Sequence, residues 1–360
     1  MVCTCITVGI ILVLITTGIS ATALRKRTPF SHGDTTPLGP LTNDFSDWLV
    51  ANEYDDFDFP REDFNQIGSF GGKDTSDQKL THRPIVFVHG NSDGALSDNS
   101  KWGTGWSSSI KHFMAKGYGR HELYATTWGD RVAANAYLRT HSCETIVRAR
   151  TFFEAVILYT DADQIDVISH SMGVAIARKA IRGGIIDGDD GFCNIGPSLR
   201  SRIHTFIGIS GANYGMCQCT GGNATAIYPT CSKKNGFWPG EPCYISPTTN
   251  ALAVCGNLKS KCGQRSYAKL LQEMNEDPKN EASNVFSFWS YDDDLIGSND
   301  SVFGRPTSFI PFSNASKVLR GVDHMSTKDG TFDLQYRLIT TQSFLSKEEQ
   351  ELHSFDDLII

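Results

Sequence analysis

Short apolar runs alternate with longer segments of helical periodicity through residues 83–345. The apolar runs of the kind that buried strands require span residues 85–88, 122–128, 165–168, 203–209 and 285–289, and residues 316–322 read as a short strand and a turn. Apolar residues recur at helical spacing over residues 107–115, 143–159 and 174–181. Strands and helices that alternate in this way predict an α/β domain with a mostly parallel sheet and helices on both faces.

The sequences on either side of this domain have a different character. Residues 24–82 are irregular and rich in Asp, Gly and aromatic residues, and they hold too many apolar side chains for a disordered tail. We therefore expect residues 24–82 to form an N-terminal arm that wraps around the domain. Residues 346–360 read as a polar C-terminal tail.

A long insertion separates the strands predicted at residues 203–209 and 285–289. Residues 214–264, hereafter the cysteine-rich insertion, hold six of the ten cysteines. Such a stretch builds little core of its own and needs disulfides to keep its shape. Two interpretations stay open, namely a cap over a site, with Phe237-Trp238-Pro239 facing a lipid, and a stapled loop without function.

Residues 1–23 have the features of a signal peptide. The apolar run at residues 6–19 is too short for a comfortable membrane span, and Ala21-Thr22-Ala23 supplies the small residues of a cleavage site. No basic residue precedes the run, and Arg25-Lys26-Arg27 follows it, so an uncleaved anchor is the alternative. After cleavage we expect a secreted, extracellular protein without a stable membrane span.

The cysteine count agrees with export. Removal of residues 1–23 takes Cys3 and Cys5 from the ten cysteines and leaves eight, an even number that favours disulfides whose pairing the sequence does not reveal. The N-glycosylation sequons at Asn223, Asn299 and Asn314 also agree with a secretory route.

Charge and cysteine spacing argue against two classes of partner. The net charge is −7 and no dense basic stripe occurs, so we expect no nucleic acid partner. Cys217-Gln-Cys219 lacks the Cys-x-x-Cys spacing of a zinc ligand pair, and no histidine lies near the cysteine cluster. We therefore expect no zinc cluster, and no metal site is predicted.

Ser171 is the candidate nucleophile. The strand predicted at residues 165–168 leads through Ser169-His170-Ser171-Met172-Gly173 into the helix at 174–181, which is the context of a nucleophile elbow. The usual motif is Gly-x-Ser-x-Gly, and Ser169 here takes the place of the first glycine. The alternative is an ordinary serine-rich turn between a strand and a helix.

The turn after the first predicted strand offers an oxyanion hole. The strand predicted at residues 85–88 is followed by His89-Gly90-Asn91, and glycine allows the backbone to approach a ligand closely. The expected donors are the backbone N–H groups of Asn91 and Met172. We interpret His89 as a packed, hydrogen-bonded residue.

The order nucleophile, acid, histidine selects the other two members of a triad. His324 follows the strand and turn at residues 316–322, whereas His353 lies in the polar tail. Asp292, Asp293 and Asp294 follow the strand at residues 285–289. Asp293 is the first choice for the acid and Asp294 the second, and we expect the other two aspartates to be solvated or to cap the turn.

Taken together, these motifs resemble those of the class 2 (EstA-type) triacylglycerol lipases and esterases, and more narrowly their secreted nematode branch. The resemblance spans roughly residues 84–340 and rests on Ser-His-Ser-Met-Gly, Val-His-Gly-Asn, Gly-Ala-Asn, Ser-x-Asp-Asp-Asp-Leu-Ile and Gly-Val-Asp-His-Met. It implies an α/β-hydrolase fold and a lipid ester substrate, without a cofactor. The family pattern of Asp, any residue and two apolar residues falls on Asp293, Leu295 and Ile296.

The expected reaction is ester hydrolysis through an acyl-enzyme on Ser171, Asp293 and His324. The cysteine-rich insertion departs from compact bacterial members, so their exposed site and substrate range do not transfer. The same triad also suits a phospholipase or an acyltransferase. A catalytically silent lipid-binding homologue is the alternative outside enzymes.

Overall fold

The computed structural model describes residues 36–221, 223–242, 250–259 and 266–346. The expected signal peptide, residues 24–35 of the arm and residues 347–360 of the tail lie outside the described residues. Within the described ranges, no helix has both the length and the apolar character that a membrane crossing demands.

The order of elements matches the alternation predicted from the sequence. The strands are β1 (Ser69–Phe70), β2 (Ile85–Val88), β3 (Leu123–Thr126), β4 (Ile165–His170), β5 (Ile185–Asp187), β6 (Phe192–Asn194), β7 (Ile203–Ile209), β8 (Asn284–Ser290), β9 (Ser301–Val302), β10 (Arg305–Pro306) and β11 (Ala315–Leu319). The helices are α1 (Asn43–Ala51), α2 (Ser107–Ala115), α3 (Cys143–Thr160), α4 (Met172–Arg182), α5 (Ala224–Ile227), α6 (Ala251–Cys255), α7 (Lys269–Glu276), α8 (His324–Asp329) and α9 (Phe332–Thr341).

The central sheet has the strand order β1-β3-β2-β4-β7-β8-β11. Every neighbouring pair is parallel except β1 with β3, which confirms the predicted mostly parallel sheet. Val88 pairs with Ser169, and His170 pairs with Ile209, so β2, β4 and β7 end at the same edge. The loops after these strands therefore meet there.

Alternate residues of the strands enter two separate cores, because successive side chains of a strand point to opposite faces. Val86 and Val167 belong to the core covered by helices α1, α3, α4 and α7. Phe87 and Ile168 belong to the core covered by α2 and α9. This division confirms the prediction of helices on both faces.

The arm is more ordered than its irregular sequence suggests. Phe45 of α1 is fully buried, and its ring lies 4.2 Å from that of Tyr159 and 5.5 Å from that of Tyr124. Further along the arm, β1 pairs with β3 and so extends the sheet by one antiparallel strand. The two-residue strand β1 is too short to stand out from the sequence pattern.

The described part of the cysteine-rich insertion carries the disulfides Cys217–Cys255 and Cys219–Cys231. A third disulfide, Cys143–Cys193, joins the start of α3 to the β5–β6 hairpin. Cys243 and Cys262 lie outside the described residues. The expectation that Phe237-Trp238-Pro239 faces a lipid is wrong, because Phe237 is 5% exposed and packs against the ring of His141 at 4.7 Å.

Candidate active site

Ser171 lies in the sharp turn between β4 and α4. Its backbone has φ 54° and ψ −129°, a combination that non-glycine residues rarely adopt. The turn is held because the Ser171 N–H donates to the carbonyl of Ile209 at the end of β7. Such a strained turn costs about 1–3 kcal/mol and characteristically presents a serine hydroxyl at the edge of a sheet.

Two glycines bring the turn after β2 against this serine. A Cβ atom at Gly90 would lie 2.8 Å from Cβ of Ser171, and one at Gly173 would lie 2.3 Å from the carbonyl oxygen of His89. Neither position has room for a side chain. The backbone around Asn91 is therefore packed directly beside the start of α4.

Ser169 occupies the place of the first motif glycine without disrupting the elbow. It is fully buried in β4, and its hydroxyl donates to the carbonyl of Ile207 at 3.0 Å. Strand β7 thus provides a hydrogen-bond acceptor for the buried Ser169 hydroxyl, and serine fits the position where the usual motif has glycine.

His89 is a packed residue, as the sequence suggested. Its Nε2 accepts the backbone N–H of Trp128 at 3.0 Å, so its proton lies on Nδ1, which donates to the carbonyl of Gly90 at 2.8 Å. The ring stacks on Trp128, and burial holds the pKa of His89 well below its usual value. This neutral histidine fixes the turn that carries Asn91.

The two expected oxyanion donors lie on the two segments that meet at Ser171. Met172 is the first residue of α4, and the first N–H groups of a helix have no intrahelical acceptor. Asn91 follows Gly90, and its side chain is fixed because Nδ2 donates to the carbonyl of Ala136 at 3.0 Å while Oδ1 accepts from Arg139 at 2.6 Å. Both N–H groups therefore belong to rigid turns.

Asp293 and His324 are brought together by the loops after β8 and β11. Nδ1 of His324 donates to Oδ2 of Asp293 at 2.7 Å, and both side chains are buried. The other carboxylate oxygen of Asp293 accepts the N–H groups of Leu295 and Ile296 at 3.0 and 2.7 Å. The carboxylate is thus oriented by its own turn and in turn orients the imidazole.

The two neighbouring aspartates also bind the loop of the histidine. Oδ2 of Asp292 accepts the N–H of Gly321 at 2.7 Å, and Oδ1 of Asp294 accepts the backbone N–H of His324 at 3.1 Å. The sequence predicted that these aspartates are solvated or cap their own turn. They are exposed, but each serves to fasten the adjacent loop.

His170 links the elbow to the histidine loop. Its Nε2 donates to the carbonyl oxygen of His324 at 3.1 Å, and the centroids of the two rings are 4.6 Å apart. Burial, followed by the nearby His324 and Lys328, holds the pKa of His170 well below its usual value. Because His170 directly precedes Ser171, this contact draws the candidate base towards the candidate nucleophile.

The structure therefore gathers all the predicted site residues at the carboxyl edge of the sheet. Nε2 of His324 is buried and has no hydrogen-bond partner in the described part of the chain, which leaves its lone pair available to accept a proton. No hydrogen bond joins it to Ser171 in this state, and such bonds often form only when substrate is bound.

Sequence reasoning missed three charged residues around the site, which are Asp93, Arg139 and Lys328. Arg139 holds both Asn91 and Ser92 through Nη1, at 2.6 and 2.8 Å. Lys328 is fully buried one helical turn after His324. The sequence held one signal, a lysine four residues after the candidate base, but its partners are distant in the chain.

The class 2 lipase family model matches residues 82–337, which is more than half of the chain. The chain belongs to this family, and it is a carboxylic ester hydrolase of the α/β-hydrolase fold. The match confirms the family inferred from the motifs, and the narrower resemblance to a secreted nematode branch stays a prediction. No protein of curated function matches the chain in sequence.

Solved structures that resemble the chain include lipases at low sequence identity. The Paleococcus ferrophilus monoacylglycerol lipase is 12% identical with a TM-score of 0.42, and the match covers 76% of this chain and 98% of that one. A Bacillus licheniformis lipase in propeptide form is 13% identical with a TM-score of 0.46, covering 78% of this chain and 55% of that one. Aspergillus fumigatus lipase B is 12% identical with a TM-score of 0.38, and the chain spans 48% of its length.

Proposed function

We propose that this chain hydrolyses carboxylic esters of lipids by a triacylglycerol-lipase-like reaction on Ser171, His324 and Asp293. The observation that carries the proposal is the buried hydrogen bond between Nδ1 of His324 and Asp293, which leaves Nε2 of His324 without a hydrogen-bond partner among the described residues, in a ring that packs against His170, the residue before Ser171. A histidine held in this way is the arrangement that activates a serine.

In the first half of the reaction, Nε2 of His324 accepts the proton of the Ser171 hydroxyl as the oxygen attacks the ester carbonyl. The carboxylate of Asp293 stabilises the positive imidazolium that forms. His324 then gives the proton to the leaving alcohol, and the fatty acyl group stays on Ser171 as an ester. In the second half, water is activated by His324 in the same way and releases the fatty acid.

The negative charge that develops on the carbonyl oxygen is bound by the N–H groups of Met172 and Asn91. Both donors belong to turns that packing and hydrogen bonds already hold in place, so little reorganisation accompanies the reaction. Removal of one such donor typically costs about 3–4 kcal/mol of barrier, so the pair is a large part of the catalytic effect.

A lipid substrate is supported by exposed apolar residues beside the site. The carbonyl of Ala136, which binds the Asn91 side chain, lies in a short 3-10 helix whose neighbours Tyr137 and Leu138 are 59% and 63% exposed. The ring of Tyr137 contacts that of Tyr228 in the cysteine-rich insertion, next to Ile227, which is 58% exposed. These four side chains form the apolar rim, which we propose contacts the lipid.

The cysteine-rich insertion borders the site on its other side as well. Nε2 of Gln218, between two bridged cysteines, donates to the carbonyl of Leu295 in the Asp293 turn at 3.0 Å. This contact favours the interpretation as a cap over that as an inert loop. Export through the segment at residues 1–23 and an extracellular location complete the proposal, and the three disulfides are consistent with it.

The test of the proposal is hydrolysis of p-nitrophenyl esters and emulsified triacylglycerols of increasing chain length. The wild-type protein is expected to release fatty acid, and Ser171→Ala is expected to lower kcat at least 10³-fold with an unchanged circular dichroism spectrum. Ester hydrolysis by Ser171→Ala at the wild-type rate would refute the assignment.

A second experiment tests the apolar rim. Leu138→Ser is expected to lower activity on emulsified triacylglycerol several-fold and to leave that on a dissolved short-chain ester unchanged, because only the former requires contact with a lipid surface. Val50→Ser is the matched control, since Val50 is 64% exposed on α1 of the arm. Equal losses on both substrates would contradict a role in lipid contact.

A further inference from the structure

A buried lysine bridges the two halves of the candidate active site. Lys328 lies on α8, and its side chain is fully buried. Its Nζ lies 3.3 Å from Oδ2 of Asp93, 2.9 Å from Oδ1 of Asp329 and 2.9 Å from Oγ1 of Thr104, and it donates to the carbonyl of Gly105. A buried ammonium is stable only with such partners, so its position is strongly determined.

The partner carboxylate is equally constrained. Asp93 is 2% exposed, and its Oδ1 accepts the backbone N–H groups of Gly94 and Gly105 at 2.9 and 2.8 Å. Asp93 therefore joins the loop after β2 to the segment before α2. Its second oxygen has no other hydrogen-bond partner among the described residues and faces Lys328.

Lys328 and Asp93 each lie close in sequence to a residue of the candidate active site. Lys328 follows His324 by one helical turn on the same face of α8. Asp93 follows Asn91, the candidate oxyanion donor, by two residues in one loop. The pair thus connects the element that carries the base to the loop that carries the oxyanion hole.

Other contacts hold each half and join the two through the elbow and through an exposed ion pair of Lys101 with Asp294. Asp293, Asp294 and the neighbouring His170 fix His324. Arg139 and Ala136 fix Asn91 from the opposite side. Lys328 joins α8 to the loop directly and in a buried position, through Asp93, Thr104 and Gly105.

We infer that Lys328 and Asp93 are positioning residues that set the distance between the candidate base and the candidate oxyanion donor. This inference rests on the proposed hydrolase function. Neither side chain touches the substrate. Their role is to let proton transfer at His324 and oxyanion binding at Asn91 act on the same carbonyl group.

The experiment compares Lys328→Met, Asp93→Asn and the double variant with the wild-type protein. Lys328→Met leaves the buried carboxylate of Asp93 without a cation and is expected to lower stability, and Asp93→Asn lowers it less because Lys328 keeps Asp329 as a partner. The double replacement removes both charges and is expected to melt closer to the wild type than Lys328→Met. All three variants are expected to lose about 10²-fold in kcat, the effect of a misplacement near 1 Å, while KM stays within a factor of two.

The double variant is decisive because it separates positioning from stability. A melting temperature close to that of the wild type, together with the 10²-fold lower kcat, supports the inference. Wild-type kcat in the folded double variant overturns it, whatever the melting temperatures of the single variants. Thr104→Val, which removes one partner of Lys328 and keeps the charge paired, is expected to lower kcat about fivefold by a smaller displacement.

Arg83→Met provides the matched control. Arg83 pairs at 3.2 Å with Asp166, whose side chain is fully buried at the opposite end of β4 from Ser171. This variant is expected to lower the melting temperature and to keep kcat. Ser171→Ala distinguishes failure of the proposed hydrolase function from failure of the positioning role. If Ser171→Ala retains activity, the proposed function is wrong. If Ser171→Ala is inactive while the double variant is fully active, only the positioning role of Lys328 and Asp93 is wrong.

Discussion

Oδ2 of Asp293 accepts a hydrogen bond of 2.7 Å from Nδ1 of His324, and neither side chain has appreciable contact with solvent. The carboxylate also accepts two backbone N–H groups, those of Leu295 and Ile296. A buried carboxylate with this many donors stays in one orientation, so it places the imidazole proton on Nδ1 and leaves Nε2 as the acceptor.

The first prediction distinguishes the catalytic role of Asp293 from that of Asp294. Asp293→Asn is expected to lower kcat about 10⁴-fold, because an amide at this position favours the wrong tautomer of the histidine. Asp294→Asn is expected to lower kcat less than tenfold, since Asp294 contacts only the backbone N–H of His324 and an exposed Lys101. Steady-state hydrolysis of a p-nitrophenyl ester measures kcat of both variants. A larger loss of kcat in Asp294→Asn than in Asp293→Asn would make Asp294 the acid of the triad.

The second prediction concerns the contact between Gly90 and Ser171. Gly90→Ala would place a methyl group 2.8 Å from Cβ of Ser171, which displaces the nucleophile or the oxyanion loop. We expect about a 10²-fold lower kcat. Gly129→Ala is the control, because its new Cβ would meet nothing closer than 3.7 Å. If both variants had wild-type kinetics, the close approach of the two turns would not matter for catalysis.

The strands and helices that position the site could be predicted because their patterns are local. The apolar runs gave β7 and the helical spacing gave α2 with the same boundaries that the structure shows, at 203–209 and 107–115. Ser171 and His324 stood out because a strand leads into each. These features depend on residues close in sequence, where periodicity is informative.

The remaining features depend on contacts between distant residues. Asp93 and Lys328 are far apart in the chain, and only the fold shows that they form one buried pair. Phe237 was expected at a lipid surface because apolar residues in an insertion have no obvious core. The structure buries it against His141, and the exposed apolar residues beside the site include Tyr137 and Leu138 instead.

The third prediction concerns stability in acid. Burial lowers the pKa of His141 to about 4, and it holds those of His89 and His170 well below their usual value. The unfolded chain protonates all three near pH 6.5, so the stability they confer is complete above that pH and is lost as pH falls below it, at about 1.4 kcal/mol per pH unit for each group. Burial raises the pKa of Asp300, which opposes this trend.

The net number of protons taken up on unfolding at about pH 5.5 is therefore expected to be positive, because these histidines are charged in the unfolded chain and neutral when buried. The pH dependence of the free energy of unfolding in urea measures this number. His141→Asn keeps a donor for the carbonyl of Asn235 and should lower the uptake by about one proton. An unchanged uptake in this variant would show that His141 is already charged in the folded protein.

The fourth prediction concerns the disulfide between Cys143 and Cys193. It closes a loop with a sequence separation of 50 residues, so its removal in Cys143→Ser/Cys193→Ser is expected to lower the free energy of unfolding by about 4 kcal/mol. The bridge joins α3 to a hairpin away from the triad, so kcat should be unchanged below the unfolding transition. Urea titration and ester hydrolysis test the two parts, and a loss of kcat in the folded variant would contradict the second.

The central claim, that Ser171 is a nucleophile activated by His324, is tested most directly by covalent labelling with a fluorophosphonate. After digestion and mass spectrometry of the labelled protein, we expect one modified peptide, with the phosphonate on Ser171, and labelling at least 10³-fold slower in His324→Ala. Label on a different residue, or equally fast labelling of Ser171 in His324→Ala, would contradict it.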